Sequence, residues 1–232
     1  MVTNTTALWL FDLDNTLHNA SHAIFPAIHD NMNAFMARTL GSGGVDADAA
    51  TVNAAREEYW RRYGATLLGL VKHHQVRPED FLREAHRFDD LPSMIRAERG
   101  LINLLKRLPG RKILLTNAPL RYSGDVMRHL RLQRHFGKHI SIESMHVHRR
   151  LRPKPSRHLL RQLLARERVA ARRCILVEDT IATLKAAKWV GMRTVWVTQY
   201  LADQSNVTKR PKYVDVKVKS VRQLSKNLHR LC

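Results

Sequence analysis

The sequence predicts an α/β fold in which a parallel β-sheet is covered by helices on both faces. Four short runs rich in Ile, Leu and Val do not alternate with polar residues, as expected for strands buried on both faces. Each run is followed by a segment with apolar residues at helical spacing, and this alternation is typical of parallel sheets. Right-handed crossovers between the strands then give a Rossmann-like arrangement.

The predicted elements follow one another along most of the chain. Strands are expected at residues 7–11, 112–115, 174–177 and 194–197. Helices are expected at about residues 94–108, 120–130, 156–168 and 180–189. The basic tail from residue 208 onward is expected to add one edge strand and a last helix.

A helical segment interrupts the alternation directly after the first strand. Apolar residues recur at helical spacing from Ile24 to Leu40, and Gly41 is well placed to end that helix. Two further helices are expected to begin near the acidic DADAA and RPEDF sequences. We therefore expect residues 18–93 to form a helical cap domain that acts as a lid. The core domain is then made of residues 1–17 and 94–232.

The chain of 232 residues is strongly basic, with a formal net charge of +20. Between His148 and Arg173 it contains ten Lys or Arg and one acid, Glu167. The simplest interpretation is a solvated helix face, and the alternative is attraction of phosphorylated metabolites or RNA. Aromatic residues make up 6% of the chain and are not interleaved with this stretch, so no stacking platform for nucleic-acid bases is expected.

Other features narrow the class of protein. No apolar run approaches the roughly 20 residues of a membrane helix, and nothing near the N-terminus resembles a signal peptide. The two cysteines, Cys174 and Cys232, are too few for a disulfide framework and lack metal-ligand spacing. We expect a cytoplasmic protein that is a monomer or a homodimer.

Polar side chains follow three of the predicted strands, and a lysine lies in the loop before the helix at residue 156. Ligands bind beyond the carboxyl ends of the strands in open parallel sheets, so these side chains are expected to meet at one edge. Each also has a simpler interpretation, such as a helix cap for Thr116, a surface position for Lys154, or a capping pair for the two acids after the third strand. The residues are Asp12, Asp14, Thr116, Asn117, Lys154, Glu178 and Asp179.

Clustered carboxylates at such an edge indicate a cation and a phosphoryl group. Mg²⁺ favours carboxylate and carbonyl oxygens. The expected metal ligands are Asp12, Asp179 and the backbone carbonyl of Asp14. The residues expected around these ligands are Thr16, Glu178 and Thr183.

The same residues suit covalent phosphoryl transfer. Asp12 is placed to attack phosphorus and form an aspartyl-phosphate. Asp14, two residues further on, is spaced to protonate the leaving oxygen and later to activate the hydrolytic water. Lys154 would attract the phosphate, while Thr116 and Asn117 would hold its non-bridging oxygens.

Four motifs in this order resemble those of the haloacid dehalogenase superfamily, over essentially the whole chain. They are FDLDNTL, ILLTN, the lysine of PKP, and VEDT. The resemblance implies that Asp12 is the nucleophile, Asp14 the general acid and base, and Asp179 a metal ligand, with Thr116 and Lys154 contacting phosphate. True dehalogenases lack an acid at the position of Asp14, so its presence favours phosphoryl transfer.

A narrower resemblance is to the pyrimidine 5′-nucleotidase branch, whose members dephosphorylate nucleoside monophosphates and carry a helical cap at this position. The segments that show this resemblance include YWRRYGATLLGLVKHH and EDTIATLKAAKWVGMRTVWV. Thr183 stands where an asparagine is usual in that branch, and His18 stands where a tyrosine is frequent. We expect His18, near the cap hinge, and Tyr63, whose ring could stack on a base, to contact the substrate.

The expected function is therefore Mg²⁺-dependent hydrolysis of a small phosphorylated metabolite, preferentially a nucleoside 5′-monophosphate. Two enzymatic alternatives remain open. One is a phosphatase for a sugar phosphate or phosphoglycolate, and the other is a phosphomutase like β-phosphoglucomutase. A basic RNA-binding protein on the same fold is the less favoured alternative, because the five motif residues that would carry catalysis are all present.

Overall fold

The computed structural model describes residues 7–201 and 210–231 and has a β-sheet at its centre. The strands are β1 (Leu8–Phe11), β2 (Arg111–Leu115), β3 (Lys138–Ile140), β4 (His146–Val147), β5 (Arg150–Leu151), β6 (Cys174–Glu178), β7 (Arg193–Val197) and β8 (Val216–Val218). Six strands form one sheet in the order β3-β2-β1-β6-β7-β8, and every neighbouring pair in it is parallel. The strands β4 and β5 form a separate antiparallel hairpin.

The helices fall into two groups along the chain. Those after β1 are α1 (Ile24–Leu40), α2 (Ala49–Tyr63), α3 (Thr66–His74), α4 (Pro78–Ala85) and α5 (Leu91–Met94). Those among and after the later strands are α6 (Leu101–Arg107), α7 (Leu120–His129), α8 (Arg157–Glu167), α9 (Ile181–Trp189) and α10 (Leu228–Leu231). Among the described helices, none combines the length and the apolar character that spanning a membrane would require.

The strand β1 lies in the middle of the sheet and is completely buried. Its Leu8 pairs in register with Arg111 of β2 on one side and with Cys174 of β6 on the other. The apolar side chains of β1, β2 and β6 continue into a core that includes α8 and α9. The predicted fold class, a parallel sheet with helices packed around it, is confirmed.

The structure differs from the predicted elements in a few places. The helix expected at residues 94–108 is divided, because Gly100 adopts a left-handed conformation with φ of 90° and α6 begins after it. The strand β3 was not predicted, since its side chains are exposed or half-buried rather than forming an apolar run. The tail contains the expected edge strand, β8, and the short helix α10. Residues 208, 209 and 232 of the tail lie outside the described part of the chain.

The chain divides into two compact units, Met1–Ser21 with Ile95–Cys232, and His22–Met94. The second unit, called the helical unit below, contains α1 to α5. Its helix α2 begins where Asp48 accepts a 2.8 Å hydrogen bond from the Thr51 amide, and it ends at Gly64 with φ of 79°. Inside this unit the ring of Phe35 meets the ring of Phe81 edge-on, with centroids 5.4 Å apart.

Candidate active site

Three adjacent strands at the centre of the sheet bring the predicted site residues together. Because β1 lies between β2 and β6 and all three are parallel, their carboxyl ends meet at one edge. Asp12 follows β1, Thr116 follows β2, and Asp179 follows β6. The amide of Asp12 donates a 3.0 Å hydrogen bond to the Val177 carbonyl, which fixes the backbone of Asp12 to the end of β6.

A buried lysine joins two of these acids. The ammonium of Lys154 donates to Oδ1 of Asp12 at 2.6 Å and to Oε2 of Glu178 at 2.8 Å. Only 6% of Lys154 is exposed. Burial alone would lower the pKa of this ammonium, but the charges of Asp12 and Glu178 raise it above its usual range, so the lysine is cationic. The simpler interpretation of Lys154 as a surface residue is therefore wrong.

The acids themselves form a compact group with an excess of negative charge. Ligand oxygens of Asp12, Glu178 and Asp179 lie within 4.8 Å of one another. Burial, and then the charge of Glu178, raises the pKa of Asp12 to about 7. Burial likewise raises the pKa of Glu178 to about 7 and that of Asp179 to about 6. Burial and mutual repulsion thus disfavour the anionic form of each carboxylate, and further positive charge within the group would favour it.

This group fits a hard divalent cation. It offers oxygen donors, which Mg²⁺ prefers, and the charge of its ionised form exceeds that of Lys154, the one ammonium bound to it among the described residues. Glu178, expected only beside the ligands, contributes an oxygen to the group on equal terms with Asp12 and Asp179. The carboxylate of Asp14 is not a member of the group.

Asp14 instead receives two hydrogen bonds on a single oxygen. The Tyr122 hydroxyl donates to Oδ1 of Asp14 at 2.6 Å, and Nε2 of His18 lies 2.8 Å from the same oxygen. Tyr122 is buried in the first turn of α7, which directly follows the loop after β2. Burial, followed by the charge of Asp14, raises the pKa of the Tyr122 phenol well above its usual value, so it remains a donor.

Sequence reasoning assigned His18 to the substrate and did not identify Tyr122. His18 is completely buried, and its Nδ1 is a buried atom without a hydrogen-bond partner in the described part of the chain. The hydrogen-bond partner of its other ring nitrogen, Nε2, is the carboxylate of Asp14. The sequence does place Tyr122 early in the helix after the second strand. That position is at the same edge of the sheet as Asp14, and it is the one indication of a contact between them.

The two residues that follow β2 differ in what they contact. The buried hydroxyl of Thr116 accepts a 3.0 Å hydrogen bond from the Ala118 amide, which supports the turn into α7. The Asn117 side chain donates to the Lys154 carbonyl at 3.0 Å and accepts from the Lys154 amide at 2.9 Å. This reciprocal pair holds the loop of Lys154 beside β2, a positioning role that the sequence did not predict for Asn117.

The surroundings of Asp179 also contain unpredicted partners. The Thr180 hydroxyl donates to Oδ1 of Asp179 at 3.1 Å, and the Trp196 indole donates to the Asp179 carbonyl at 2.9 Å. Thr183 is buried in the first turn of α9. The hydroxyl of Thr16, after Asp14, is a buried atom for which the described residues offer no hydrogen-bond partner.

Tyr63 belongs to the helical unit and has its own set of contacts there. Its hydroxyl lies 2.6 Å from Nε2 of His73, and the ammonium of Lys72 is 5.0 Å from its ring centroid. The guanidinium of Arg62 is 5.7 Å from the same centroid. Tyr63 is half-buried, so part of this residue remains accessible to solvent.

The chain is similar to known hydrolases in sequence pattern and in fold. A family model described as haloacid dehalogenase-like hydrolase matches residues 7–191. The fold is similar to that of a HAD phosphatase from Thermococcus onnurineus, with a TM-score of 0.64, 18% identity, and coverage of 96% of this chain and 97% of that chain.

Two other solved structures show the same fold. A putative β-phosphoglucomutase from Thermotoga maritima has a TM-score of 0.60 and 18% identity, and covers 97% of this chain and 100% of its own. A 2-haloacid dehalogenase from Pseudomonas syringae pv. Tomato has a TM-score of 0.59 and 19% identity, and covers 97% of this chain and 99% of its own. The three proteins are named for three different reactions, so the shared fold leaves the substrate to be decided by the site.

Proposed function

The chain belongs to the haloacid dehalogenase-like hydrolase family, and on that premise we propose that it is a Mg²⁺-dependent phosphatase for small phosphomonoesters. The observation that carries the proposal is the buried Lys154 ammonium bound to Asp12 and Glu178 beside Asp179. A cation-binding group of acids next to a fixed ammonium is suited to a dianionic phosphate. The acid at position 14, which true dehalogenases lack, favours phosphoryl transfer over dehalogenation.

Asp12, Asp179 and the backbone carbonyl of Asp14 would hold Mg²⁺, with Glu178 as a further oxygen donor. When bound, the metal supplies charge neutralisation for the phosphate and for the clustered carboxylates. Thr16 and Thr183 lie close by in sequence and would order this part of the site.

Hydrolysis then follows from the positions of the side chains. A carboxylate oxygen of Asp12 attacks phosphorus, and the bond from phosphorus to the leaving oxygen breaks while Asp14 gives that oxygen a proton. Asp14 next takes a proton from a water molecule, which attacks the aspartyl-phosphate and releases inorganic phosphate and free Asp12. Lys154 stabilises the charge on the phosphoryl oxygens, and Thr116 with the loop of Asn117 holds those oxygens.

We further propose that the substrate is a nucleoside 5′-monophosphate with a pyrimidine base. The support is the resemblance of the cap and of the segment after Glu178 to the pyrimidine 5′-nucleotidase branch. Residues 18–93 would serve as the cap domain, with the half-buried ring of Tyr63 available for stacking on a base. The hydrogen bond between His18 and Asp14 supports a role for His18 in orienting Asp14 rather than in contacting the substrate.

The test is phosphate release from a panel of nucleoside monophosphates, sugar phosphates and phosphoglycolate, with Mg²⁺ or EDTA. We expect Mg²⁺-dependent release that is strongest on UMP or CMP and is abolished in Asp12→Asn. Equal rates on sugar phosphates would exclude the pyrimidine assignment but retain the phosphatase. An isomerised product without free phosphate, dependent on a bisphosphorylated activator, would indicate a mutase instead.

The role of Tyr63 has its own control within the same helix. Tyr63→Ala should raise KM for UMP several-fold and leave KM for a sugar phosphate unchanged, because only the base loses a contact. Trp60→Ala removes a second aromatic side chain of α2, one that is 68% exposed, and should change neither value.

A further inference from the structure

The basic stretch before β6 exposes charged residues of a single type. From residue 145 to residue 173 the chain contains nine arginines, one lysine and one acid. The lysine is Lys154, which is buried in the candidate active site. The acid is Glu167, which is also buried and is bound by Arg111 at 2.9 Å and Lys138 at 2.5 Å. The exposed charge of this stretch is therefore arginine only, and its single acid is already neutralised.

An exposed tryptophan joins these arginines in space. Trp189, the last residue of α9, is 58% exposed. The guanidinium of Arg157 lies 4.3 Å from the centroid of its ring, and that of Arg161 lies 4.7 Å from it. The sequence predicted no aromatic side chain within the basic surface, because Trp189 is far from the arginines along the chain. The packing of α8 beside α9 brings them together.

The spacing of these residues along the two helices places them together. Arg157 and Arg161 are one turn apart on α8, and Lys185 and Trp189 are one turn apart on α9, so each pair lies on one face of its helix. Lys185 is exposed, and among the described residues neither Arg157 nor Arg161 forms an ion pair. We call the exposed surface of Arg157, Arg161, Lys185 and Trp189 the arginine–tryptophan face.

We propose that the arginine–tryptophan face binds single-stranded nucleic acid. Binding without sequence preference combines cations that follow the phosphate backbone with an aromatic ring on which a base stacks. A guanidinium that lies over an indole can still direct N–H groups to a phosphate. More than half of the Trp189 surface remains open with both guanidinium groups in place. The net charge of +20 raises the local concentration of any polyanion around this face.

The experiment measures the fluorescence anisotropy of a labelled oligo(dT) of about 20 nucleotides with the full chain, between about 50 and 200 mM NaCl. The oligonucleotide carries no terminal phosphate, so the candidate active site has no phosphomonoester to compete for it. We expect a dissociation constant in the micromolar range that rises steeply with salt, and weaker binding of a duplex of the same length. Absence of binding at about 50 mM NaCl would overturn the proposal.

Matched variants distinguish binding at the arginine–tryptophan face from binding that depends only on the net charge. Arg157→Gln with Arg161→Gln should weaken binding at least fivefold and reduce the salt slope by about 1.4, since each phosphate contact on a single strand contributes about 0.7. Arg61→Gln with Arg87→Gln removes two exposed cations from the helical unit and should have a smaller effect. Equal effects of the two pairs would show that only net charge matters, and would overturn the proposal.

The tryptophan provides the second test. Trp189→Ala should weaken binding roughly tenfold without changing the salt slope, because the lost base stacking carries no charge. Trp189→Phe should retain most of the affinity, and phosphatase activity should be unchanged in both variants. Wild-type affinity in Trp189→Ala would overturn the proposal. So would displacement of the oligonucleotide by poly-glutamate at an equal charge concentration, because the face would then be selective only for negative charge.

Discussion

The hydroxyl of Tyr122 donates a 2.6 Å hydrogen bond to Oδ1 of Asp14, from a position 108 residues further along the chain. His18 contacts the same oxygen, four residues after Asp14. Two buried side chains thus fix the orientation of the carboxylate to which we assign proton transfer. A carboxylate held in this way loses less entropy in the transition state than one free to rotate.

Replacing Tyr122 by phenylalanine should therefore impair proton transfer more than substrate binding. We expect kcat/KM to fall on the order of tenfold for an alkyl phosphate, whose leaving oxygen needs a proton. The fall should be much smaller for 4-nitrophenyl phosphate, whose leaving group departs without one. Steady-state kinetics on the two substrates, with Mg²⁺ saturating, measures the difference.

The control for this variant is Tyr213→Phe, which removes the hydroxyl of a half-buried tyrosine elsewhere in the same unit. It should leave both values of kcat/KM unchanged. Equal losses on the two substrates in Tyr122→Phe would contradict a role in orienting Asp14 and would indicate a general structural effect.

A second prediction concerns metal binding and has a readout other than activity. Because Asp12, Glu178 and Asp179 repel one another, Mg²⁺ should stabilise the folded chain. At a concentration about 100-fold above its Kd, it should raise Tm by about 5 °C in thermal unfolding. Asp179→Asn should lose most of this increase, since a neutral amide is a weaker ligand. Asp46→Asn, at an exposed position of the helical unit, should retain all of it.

An undiminished Mg²⁺ effect in Asp179→Asn would show that the ion binds elsewhere. A loss of the effect in Asp46→Asn as well would point to non-specific screening of charge. Either result would count against the proposed metal site and would leave the assignment of Asp12 as the nucleophile untouched.

The central part of the fold could be predicted from sequence because its signal is local. The strands β1, β2 and β6 are uninterrupted apolar runs, and the acids at their ends stand out against them. Parallel pairing then places those acids at one edge of the sheet without further information. The division near Gly100 was not predicted, since a helical pattern of apolar residues does not show where the backbone turns left-handed.

The contacts between distant side chains could not be predicted in the same way. Three such contacts depend on how helices and loops pack. They are the hydrogen bond from Tyr122 to Asp14, the pair formed by Asn117 and the Lys154 backbone, and the approach of two guanidinium groups to Trp189. No periodicity or motif encodes such a contact. Three of the features that define the site and its surroundings are therefore visible only in the folded chain.

A third prediction concerns the packing of the helical unit. Gly69 in α3 lies against the ring of Tyr59, and a Cβ at this position would overlap the atoms of that ring. Gly69→Ala should therefore lower the free energy of unfolding on the order of 2 kcal/mol, seen as a lower Tm. Gly124→Ala is the matched control, because Gly124 lies within α7 and a Cβ there meets no atom within 4 Å. It should stabilise the chain by about 0.5 kcal/mol through helix propensity, so equal shifts of Tm in the two variants would contradict the clash.

The last prediction is a pH dependence of stability in the presence of EDTA. The pKa of Asp12 rises from 3.8 to about 7 in the folded chain, chiefly through burial and then through Glu178. Between these two values the folded chain keeps the Asp12 proton while the unfolded chain has lost it. The folded state then binds more protons, so stability falls as pH rises through this window and levels off above it.

The contribution of Asp12 is isolated by comparison with Asp12→Asn, which carries no titratable group at this position. In EDTA, the free energy of unfolding of the wild type relative to Asp12→Asn should fall on the order of 3 kcal/mol between about pH 4 and pH 7. Urea unfolding at several pH values measures the difference. Saturating Mg²⁺ should reduce the fall, because a cation among the acids favours the ionised form of Asp12. If the relative stability instead rises with pH in EDTA, the Lys154 ammonium outweighs burial and Glu178, and Asp12 is already an anion before any metal binds.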